Sequence, residues 1–245
     1  TTPVVGTITQ ATCARPLGSV VLSGLPAGDW VLRFLTGETY SGRGSSVTIS
    51  DLEPGKTYNA SVTSDVCFSG YSANIPISPL VIPTSTWNGS TWSIDPNINN
   101  YVVFEGNYTS TGDISGCTCT VNSGVNVTVN SGHTFTITNA VTTTGGTLTF
   151  ENNASLVQTN DVSNTGNIIY KRITQPMKNF DYTYWSSPIA SQALNILSPN
   201  TLSDKYFSYN SNVTNWKQET PPTRMMVGKG YIIRTPKAGT WGNGE

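Results

Sequence analysis

The feature that most constrains the fold of this chain is a plain alternation between apolar residues and Thr or Asn. It is clearest in VNSGVNVTVNSG, residues 121–132, where the letters VNSG return after eight residues. From Cys117 to Phe150 apolar residues hold every second position of several short runs, and glycines interrupt the runs. A period of two residues gives a strand one buried face and one solvated face.

Short runs at near-regular spacing predict a β-helix-like repeat unit over residues 81–165. In such a coil each turn lays its strand on the previous one, and the inward side chains form ladders that no single turn could bury. An ordinary antiparallel sandwich is the alternative for this region. The positions that we expect to be buried in the coil are Val127, Phe135, Ile137, Leu148 and Phe150.

Two tryptophans, Trp87 and Trp92, stand five residues apart across a glycine turn ahead of the alternating region. An open coil end needs an apolar lid, so we interpret the pair as a cap. A platform on which sugars stack is the alternative, and it makes both residues candidate ligand-binding residues.

Residues 1–80 contain short apolar runs about ten residues apart, separated by Gly, Pro and Asp turns, a spacing typical of a β-sandwich. The best local signal is L-x-P-G-x-x-Y, formed by Leu52, Pro54, Gly55 and Tyr58. Pro-Gly favours a tight turn, and the Tyr hydroxyl can tie down the backbone of that corner. This region resembles a fibronectin type III or immunoglobulin-like sandwich.

Four cysteines occur in the chain. Cys13 and Cys67 fall in predicted loops of the first unit, and we predict a disulfide between them that would stabilise the fold by roughly 4 kcal/mol. That bond places the chain outside the cytosol; two buried free thiols in a cytosolic protein are the alternative. Cys117 and Cys119 are interpreted as buried free thiols, because a disulfide between positions i and i+2 of a strand is strained.

The charge distribution divides the chain into three parts. Residues 1–56 are neutral, residues 57–170 carry six acidic and no basic residues, and residues 171–245 carry nine basic and four acidic residues. A total net charge of −1 gives no general attraction to nucleic acid or to a membrane surface. No apolar run is long enough to span a membrane, and no signal peptide opens the chain, which we expect to be a truncated part of a longer protein.

The third predicted unit, residues 166–245, is rich in aromatic residues and in short strand-like runs, which predict a further β-rich, sandwich-like unit. Ala190–Leu197 is the one candidate for a helical turn in the sequence. Tyr184 and Trp185, in the run DYTYWSSP, are further candidate ligand-binding residues.

Several stretches together, VNSGVNVTV, GGTLTFENNASLVQ, YWSSP and GKGYIIR, resemble large secreted cell-surface proteins of flavobacteria and related Bacteroidetes. The resemblance implies export by the type IX secretion system, whose machinery would be a partner, and an extracellular or cell-surface location. It also implies an adhesin-like role, which in some such proteins serves gliding motility.

The sequence offers no convincing set of catalytic residues. His133 lies in a turn, and no G-x-S-x-G nucleophile motif occurs. Glu151 and Asp161 could meet on adjacent coils as a glycosidase pair, but no basic residue lies in that region to assist them. Asp95–Asn100 offers oxygen ligands for calcium without the spacing of an EF-hand loop. We therefore predict neither an enzyme nor a cofactor.

The prediction for the whole chain is a non-catalytic structural and adhesive segment of a secreted surface protein. Its expected partners are an extracellular glycan or surface, or other surface proteins. A carbohydrate-binding accessory region of a polysaccharide-degrading enzyme is the alternative, followed by an enzyme in its own right. Self-assembly is a further possibility, because exposed coil ends and sheet edges can add neighbours.

Overall fold

The computed structural model describes residues 1–64 and 67–236. The fold is all-β, with 47% strand and 2% helix, and it contains a β-solenoid-like region of about four turns. The predicted all-β class and coil are thus confirmed. The chain forms two compact units, Thr1–Lys171 and Arg172–Glu245. The predicted domain boundaries at residues 80 and 165 stay predictions, and the last nine residues of the predicted third unit lie outside the described residues.

The N-terminal strands form antiparallel sheets that enclose one apolar core. One sheet has the order β1-β2-β5, a second has β4-β3-β7-β8, and β6 pairs with β9. The strands are β1 (Val4–Thr9), β2 (Gly18–Ser23), β3 (Asp29–Phe34), β4 (Thr39–Arg43), β5 (Ser46–Leu52), β6 (Thr57–Tyr58), β7 (Ala60–Ser64), β8 (Cys67–Phe68) and β9 (Ile75–Pro76).

The corner between β5 and β6 has the geometry that its sequence suggests. The Tyr58 ring is buried, and its hydroxyl accepts a hydrogen bond of 2.8 Å from the backbone N–H of Glu53. Leu52 is buried at the end of β5, while Gly55 donates its N–H to the carbonyl of Ile77 at 2.8 Å. One side chain therefore fills the edge of the core and fixes the turn that follows Pro54.

The solenoid is built from short strands joined by parallel pairing only, so an antiparallel sandwich is the wrong alternative here. One row of strands has the order β10-β11-β14-β17, a second contains β12, β15 and β17, and a third has β13-β16-β18. The strands are β10 (Thr84–Trp87), β11 (Tyr101–Phe104), β12 (Tyr108–Thr109), β13 (Ile114–Gly116), β14 (Thr118–Val121), β15 (Asn126–Val129), β16 (Thr134–Ile137), β17 (Val141–Phe150), β18 (Ser155–Gln158) and β19 (Thr165–Tyr170).

The VNSG repeat marks two corners of the same coil, and not two successive coils. Partner residues on neighbouring turns are 17 residues apart for Tyr101 and Thr118 and 23 apart for Thr142 and Thr165, so a full turn is longer than the eight-residue repeat. The first VNSG follows β14 and the second follows β15. Their glycines, Gly124 and Gly132, have φ values of 77° and 84°, which residues with a Cβ adopt only at a cost.

The interior of the coil consists of apolar ladders that run from turn to turn. The five residues predicted to be buried there are all buried. Phe135 lies between Ile114 and Leu156 in the third row of strands, and its ring stacks on Phe104 at 6.2 Å between centroids. Each turn therefore provides the apolar surface on which the next turn packs.

Polar side chains at the corners bind the backbone of the next turn. Asn107 accepts a hydrogen bond from the N–H of Asn126, and Asp113 accepts one from the N–H of Thr134, both at 2.8 Å. These contacts occupy backbone donors where the ladder of strands is interrupted. The Asn-rich corners thus join consecutive coils.

The C-terminal unit is a four-stranded antiparallel sheet in the order β20-β23-β21-β22. One face packs on a small core that includes Leu194, Tyr206 and Tyr231. The helical turn predicted within Ala190–Leu197 is present. The elements are β20 (Tyr182–Ser186), α1 (Leu194–Leu197), β21 (Tyr206–Asn210), β22 (Asn215–Gln218) and β23 (Gly230–Arg234).

We predict that Phe135→Ala lowers the free energy of unfolding by about 3 to 5 kcal/mol, because it opens a cavity inside a continuous ladder. The neighbouring Thr136 points away from the core, and Thr136→Ala should change that free energy by no more than about 0.5 kcal/mol. Urea denaturation followed by circular dichroism measures both. Equal losses in the two variants would contradict the ladder.

Candidate functional site

The disulfide joins Cys13 to Cys117, so the predicted bond between Cys13 and Cys67 is wrong. Cys13 lies in the connection between β1 and β2, and its Cα is 5.8 Å from that of Cys117 at a corner of the coil. Cys67 begins the edge strand β8, opposite Ser64, and its thiol is free and exposed. Cys67 is thus part of the sheet edge, and the thiol bonded to Cys13 comes from the solenoid.

Of the two cysteines in the C-x-C motif, Cys117 forms a disulfide and Cys119 is a free thiol. The prediction of two free thiols is therefore right only for Cys119. Cys119 lies in β14 within the ladder formed by Val102 and Val141, and burial raises the pKa of its thiol to about 12. Cys117 precedes that strand, and its N–H donates to the carbonyl of Asn100 at 2.7 Å. Its sulfur therefore lies at the corner, where Cys13 can reach it.

Asparagine side chains surround the disulfide. The Asn139 amide donates to the Cys13 carbonyl oxygen and approaches the Cys13 sulfur, both at 3.1 Å. Asn160, one turn further along the coil, donates to the Asn139 side-chain oxygen at 2.8 Å and to the carbonyl of Ala14 at 3.4 Å. The N-terminal sheets are thus held to the solenoid by one covalent bond and by a polar network that spans two turns.

Trp87 and Trp92 lie at the first turn of the coil and pack against its core. Their ring centroids are 5.4 Å apart, and Trp92 lies 5.3 Å from Phe104. Both rings also contact Tyr108, at 5.0 and 5.6 Å. Trp87 donates its indole N–H to a backbone carbonyl. Rings that are half-buried against one another and against the core leave little free face for a sugar, so the geometry favours a cap.

The turn between the two tryptophans of this cap packs closely against the backbone at Gly106. A Cβ placed on Gly106 would lie 2.5 Å from the Cα of Gly89, which belongs to the turn between the two tryptophans. Only glycine at position 106 therefore lets the turn reach the second coil.

Tyr184 and Trp185 are adjacent in β20 and lie on opposite faces of the C-terminal sheet. Tyr184 pairs with Ile232 and is 78% exposed. Trp185 pairs with Tyr231, packs against the core and lines a cavity of about 140 Å³ together with Leu197. Of the four predicted ligand-binding residues, only Tyr184 therefore presents its ring to solvent.

The exposed face of this sheet gathers aromatic residues from three strands, which we call the aromatic strip. Tyr184 and Trp216 have ring centroids 6.5 Å apart, and Trp216 and Tyr209 are 5.3 Å apart in an edge-to-face arrangement. Tyr182 and Phe207 form a second contact at 6.2 Å. The members of the strip are Tyr182, Tyr184, Phe207, Tyr209 and Trp216.

Sequence reasoning did not select Phe207, Tyr209 or Trp216. The alternation in Tyr206-Phe-Ser-Tyr209 is a usable signal, because it places Phe207 and Tyr209 on one face of a strand. The position of Trp216 depends on the hairpin pairing between Tyr209 and Trp216, which the sequence alone does not fix.

An arginine lies at one end of the strip. Arg234 is the cross-strand partner of Tyr182, and its guanidinium carbon is 5.2 Å from the ring centroid of Phe180. The Arg234 Nε is buried and has no hydrogen-bond partner among the described residues. A buried cationic donor without a partner is costly, and Arg234 as a whole is half-buried.

The one histidine does not form a catalytic pair. His133 is half-buried, and its Nδ1 is 2.7 Å from the Ser110 hydroxyl oxygen. That oxygen also accepts the N–H of Asn130 at 2.8 Å, and Ser110 is buried within the coil. A serine enclosed in this way cannot attack a substrate, so the pair ties two corners together.

The two candidate catalytic carboxylates have ordinary surroundings. Glu151 forms an ion pair of 2.8 Å with Lys171, and Asp161 is exposed in the connection between β18 and β19. Across residues 1–64 and 67–236 no group of three or more His, Cys, Asp or Glu side chains is placed to hold a metal. No helix within those ranges is long and apolar enough to cross a membrane.

In the oxygen-rich segment Asp95–Asn100, Asn97 and Asn100 use their side chains in local hydrogen bonds. Asn97 accepts the N–H of Asn99 at 2.9 Å, and the buried Asn100 amide donates to the Ser85 hydroxyl and to the carbonyl of Asp95. These bonds stabilise the connection that leads into β11. Calcium binding there stays an untested alternative to the prediction of no cofactor.

Comparison with known proteins places most of the chain in a family. A family model described as "Domain of unknown function (DUF8693)" matches residues 79–244, more than half of the 245 residues. The chain belongs to the DUF8693 family. The matched range contains the solenoid and the aromatic C-terminal sheet, so the DUF8693 region includes both the cap and the strip. Searches among curated proteins and among solved structures found no match.

We predict that replacing Cys13 and Cys117 together by Ser lowers the free energy of unfolding by about 2 to 5 kcal/mol, since the bond closes a loop of 104 residues. Cys67→Ser is the matched control and should have little effect, because that thiol is exposed. Peptide mapping without reduction should recover the Cys13–Cys117 pair. A recovered Cys13–Cys67 pair would refute the assignment.

We also predict a stability difference at alkaline pH. The buried Cys119 thiol keeps its proton in the folded protein, whereas the unfolded chain loses it near pH 9. Stability is therefore lost as the pH rises from about 9 towards 12, by at most about 1.4 kcal/mol per pH unit. Denaturation at pH 8 to 10.5 should show a steeper loss for the native chain than for Cys119→Ala, and parallel curves would argue against a buried thiol.

Proposed function

We propose that the chain is a non-catalytic structural and adhesive segment of a secreted cell-surface protein. The observation that carries this proposal is the bond from Cys13 to Cys117, which fastens the N-terminal sheets to a corner of the solenoid. Disulfides persist in oxidising compartments, which supports a location outside the cytosol. A ladder of stacked coils with a covalent joint is suited to bear load.

The N-terminal part is proposed to be a fibronectin type III or immunoglobulin-like module. Two antiparallel sheets around one core and the Tyr58 hydroxyl bonded to Glu53 support that assignment. The resemblance to secreted flavobacterial surface proteins supports export by type IX secretion and, for some members, a part in gliding. On this proposal the module and the solenoid hold an adhesive face away from the cell.

The second candidate function is a carbohydrate-binding accessory region of a secreted polysaccharide-degrading enzyme. The aromatic strip favours it, because exposed rings clustered on one face mark a binding surface more often than scattered ones do. The structural and the carbohydrate-binding functions predict different neighbouring domains in the full-length protein. A catalytic domain encoded in the same reading frame would favour the accessory role.

We predict that an antibody against the chain labels intact cells of the source organism or their medium. Cells lysed in the presence of a thiol-blocking reagent should yield the chain with Cys13 and Cys117 joined and Cys67 blocked. Recovery from the cytosolic fraction with Cys13 and Cys117 both blocked as free thiols would refute the proposed location. Turnover of any polysaccharide by the purified chain would refute the non-catalytic role.

A further inference from the structure

The solvent face of the C-terminal sheet is a continuous apolar and aromatic surface. Across the strands Tyr184 lies opposite Ile232, which lies opposite Phe207. Tyr209 lies opposite Trp216 on the outer pair of strands. Directly opposed residues share a face, so these side chains project from the same side of the sheet. Tyr184 and Trp216 belong to the two outer strands of the sheet, yet their ring centroids are 6.5 Å apart, so the two rings converge over this face.

Four of the five rings of the strip are exposed to water, and Phe207 is half-buried. Tyr182, Tyr209 and Trp216 are 42%, 48% and 41% exposed, and Tyr184 is more exposed than any of them. Isolated exposed aromatic residues need no explanation, but rings in contact with one another along one face form a patch. The edge-to-face packing of Tyr209 on Trp216 also fixes both rings, so little conformational entropy is lost when a ligand binds.

The chemistry of this patch suits a glycan better than an apolar protein surface. Tyrosine and tryptophan carry a polar group at the ring edge, which stays hydrated when the face is covered. The face of an aromatic ring is electronegative and attracts groups with partial positive charge, such as the C–H bonds on one face of a sugar ring. Several rings in contact along one face offer an extended polysaccharide chain more than one stacking position.

Charge favours a ligand that carries carboxylates. Residues 172–245 contain eight basic and four acidic residues, a balance of +4. Arg234 holds its guanidinium against Phe180 at the end of the strip, with a buried Nε that has no partner among the described residues. Two acids lie at this end of the strip: Asp204 pairs with Lys205 and also interacts with Arg234, and the Asp181 carboxylate accepts the N–H of Lys178. A guanidinium presents parallel N–H donors that match a carboxylate.

The net positive charge of the C-terminal unit disfavours the simplest alternative occupant of the strip, which is the same face of a second copy of the chain. Two copies of the C-terminal unit placed face to face would bring two net positive surfaces and two Arg234 side chains together. Contact with the acidic middle region of another copy, which has six acidic residues and no basic ones in residues 57–170, is a separate outcome that experiment can distinguish.

We infer that the aromatic strip binds an extended acidic polysaccharide, with Tyr184, Tyr209 and Trp216 stacking on sugar rings and Arg234 pairing with a carboxylate. This inference rests on the proposed function only in that the chain must meet extracellular glycans. It assigns the adhesive surface to the C-terminal sheet, and it leaves the tryptophans of the solenoid cap a structural role.

The test uses the whole chain and measures retardation in native gels that contain polygalacturonate or a neutral β-glucan, followed by calorimetry. Trp216→Ala and Tyr184→Ala should each weaken polygalacturonate binding at least tenfold, and Tyr184→Phe should retain it. Arg234→Gln should weaken binding to polygalacturonate about tenfold and leave any binding to the neutral glucan unchanged. Binding to polygalacturonate should also fall as salt is added.

Tyr71→Ala is the matched control, because Tyr71 is an exposed aromatic residue in the N-terminal part. It should bind as the native chain does. Truncation of exposed rings should not unfold the protein, and thermal denaturation of each variant checks this. Trp87→Ala should lower stability and keep glycan binding, which separates the cap from the strip.

Three results would overturn the inference. The first is no binding to polygalacturonate, whether or not the neutral glucan binds; the second is binding that Trp216→Ala and Tyr184→Ala leave intact; and the third is concentration-dependent self-association that Trp216→Ala abolishes. None of these results decides where the chain is found in the cell. Fractionation tests the proposed surface location separately, so failure of one proposal can be told from failure of the other.

Discussion

The structure of residues 81–171 depends on parallel stacking, in which each short strand is buried only because a neighbouring turn covers it. A four-residue strand such as β15 or β16 cannot hide its apolar face alone, but Val127 and Phe135 each have ladder partners on both sides. The backbone hydrogen bonds between turns and the apolar contacts inside the coil form together. This coupling explains why the alternation is so plain and why charged residues are so rare in this part of the chain.

A stack of this kind has two requirements that its strands do not meet. Its first turn needs a cover, which Trp87 and Trp92 supply by packing on Phe104 and Tyr108. Its corners need partners for interrupted backbone groups, which Asn, Asp and Ser side chains supply. The disulfide uses one such corner, and Asn139 serves both the coil and the bridge. The joint to the N-terminal sheets is therefore part of the polar network of the solenoid.

The solenoid and the C-terminal sheet differ in how far their side chains are available to a ligand, and the direction of the side chains explains the difference. In the solenoid Ser110 is enclosed by the coil, and at its surface Glu151 is paired with Lys171. The C-terminal sheet instead leaves one face open, and the alternation of its strands places Trp185 inward and Tyr184 outward. The two adjacent aromatic residues thus have different roles, one in the core and the other on the surface that we propose to be adhesive.

The sequence alone determined the elements whose signal is local. The period of two from Cys117 to Phe150 predicted the buried ladder residues, and L-x-P-G-x-x-Y predicted the corner at Tyr58. What depends on distant parts of the chain could not be predicted in this way. The partner of Cys13 is 104 residues away, and no local pattern distinguishes Cys117 from Cys67. Trp216 joins the strip through a hairpin register, and the VNSG repeat proved to mark corners within one turn. Local hydrogen bonding and burial decide which residues form strands, whereas three-dimensional packing decides which strands, corners and thiols meet.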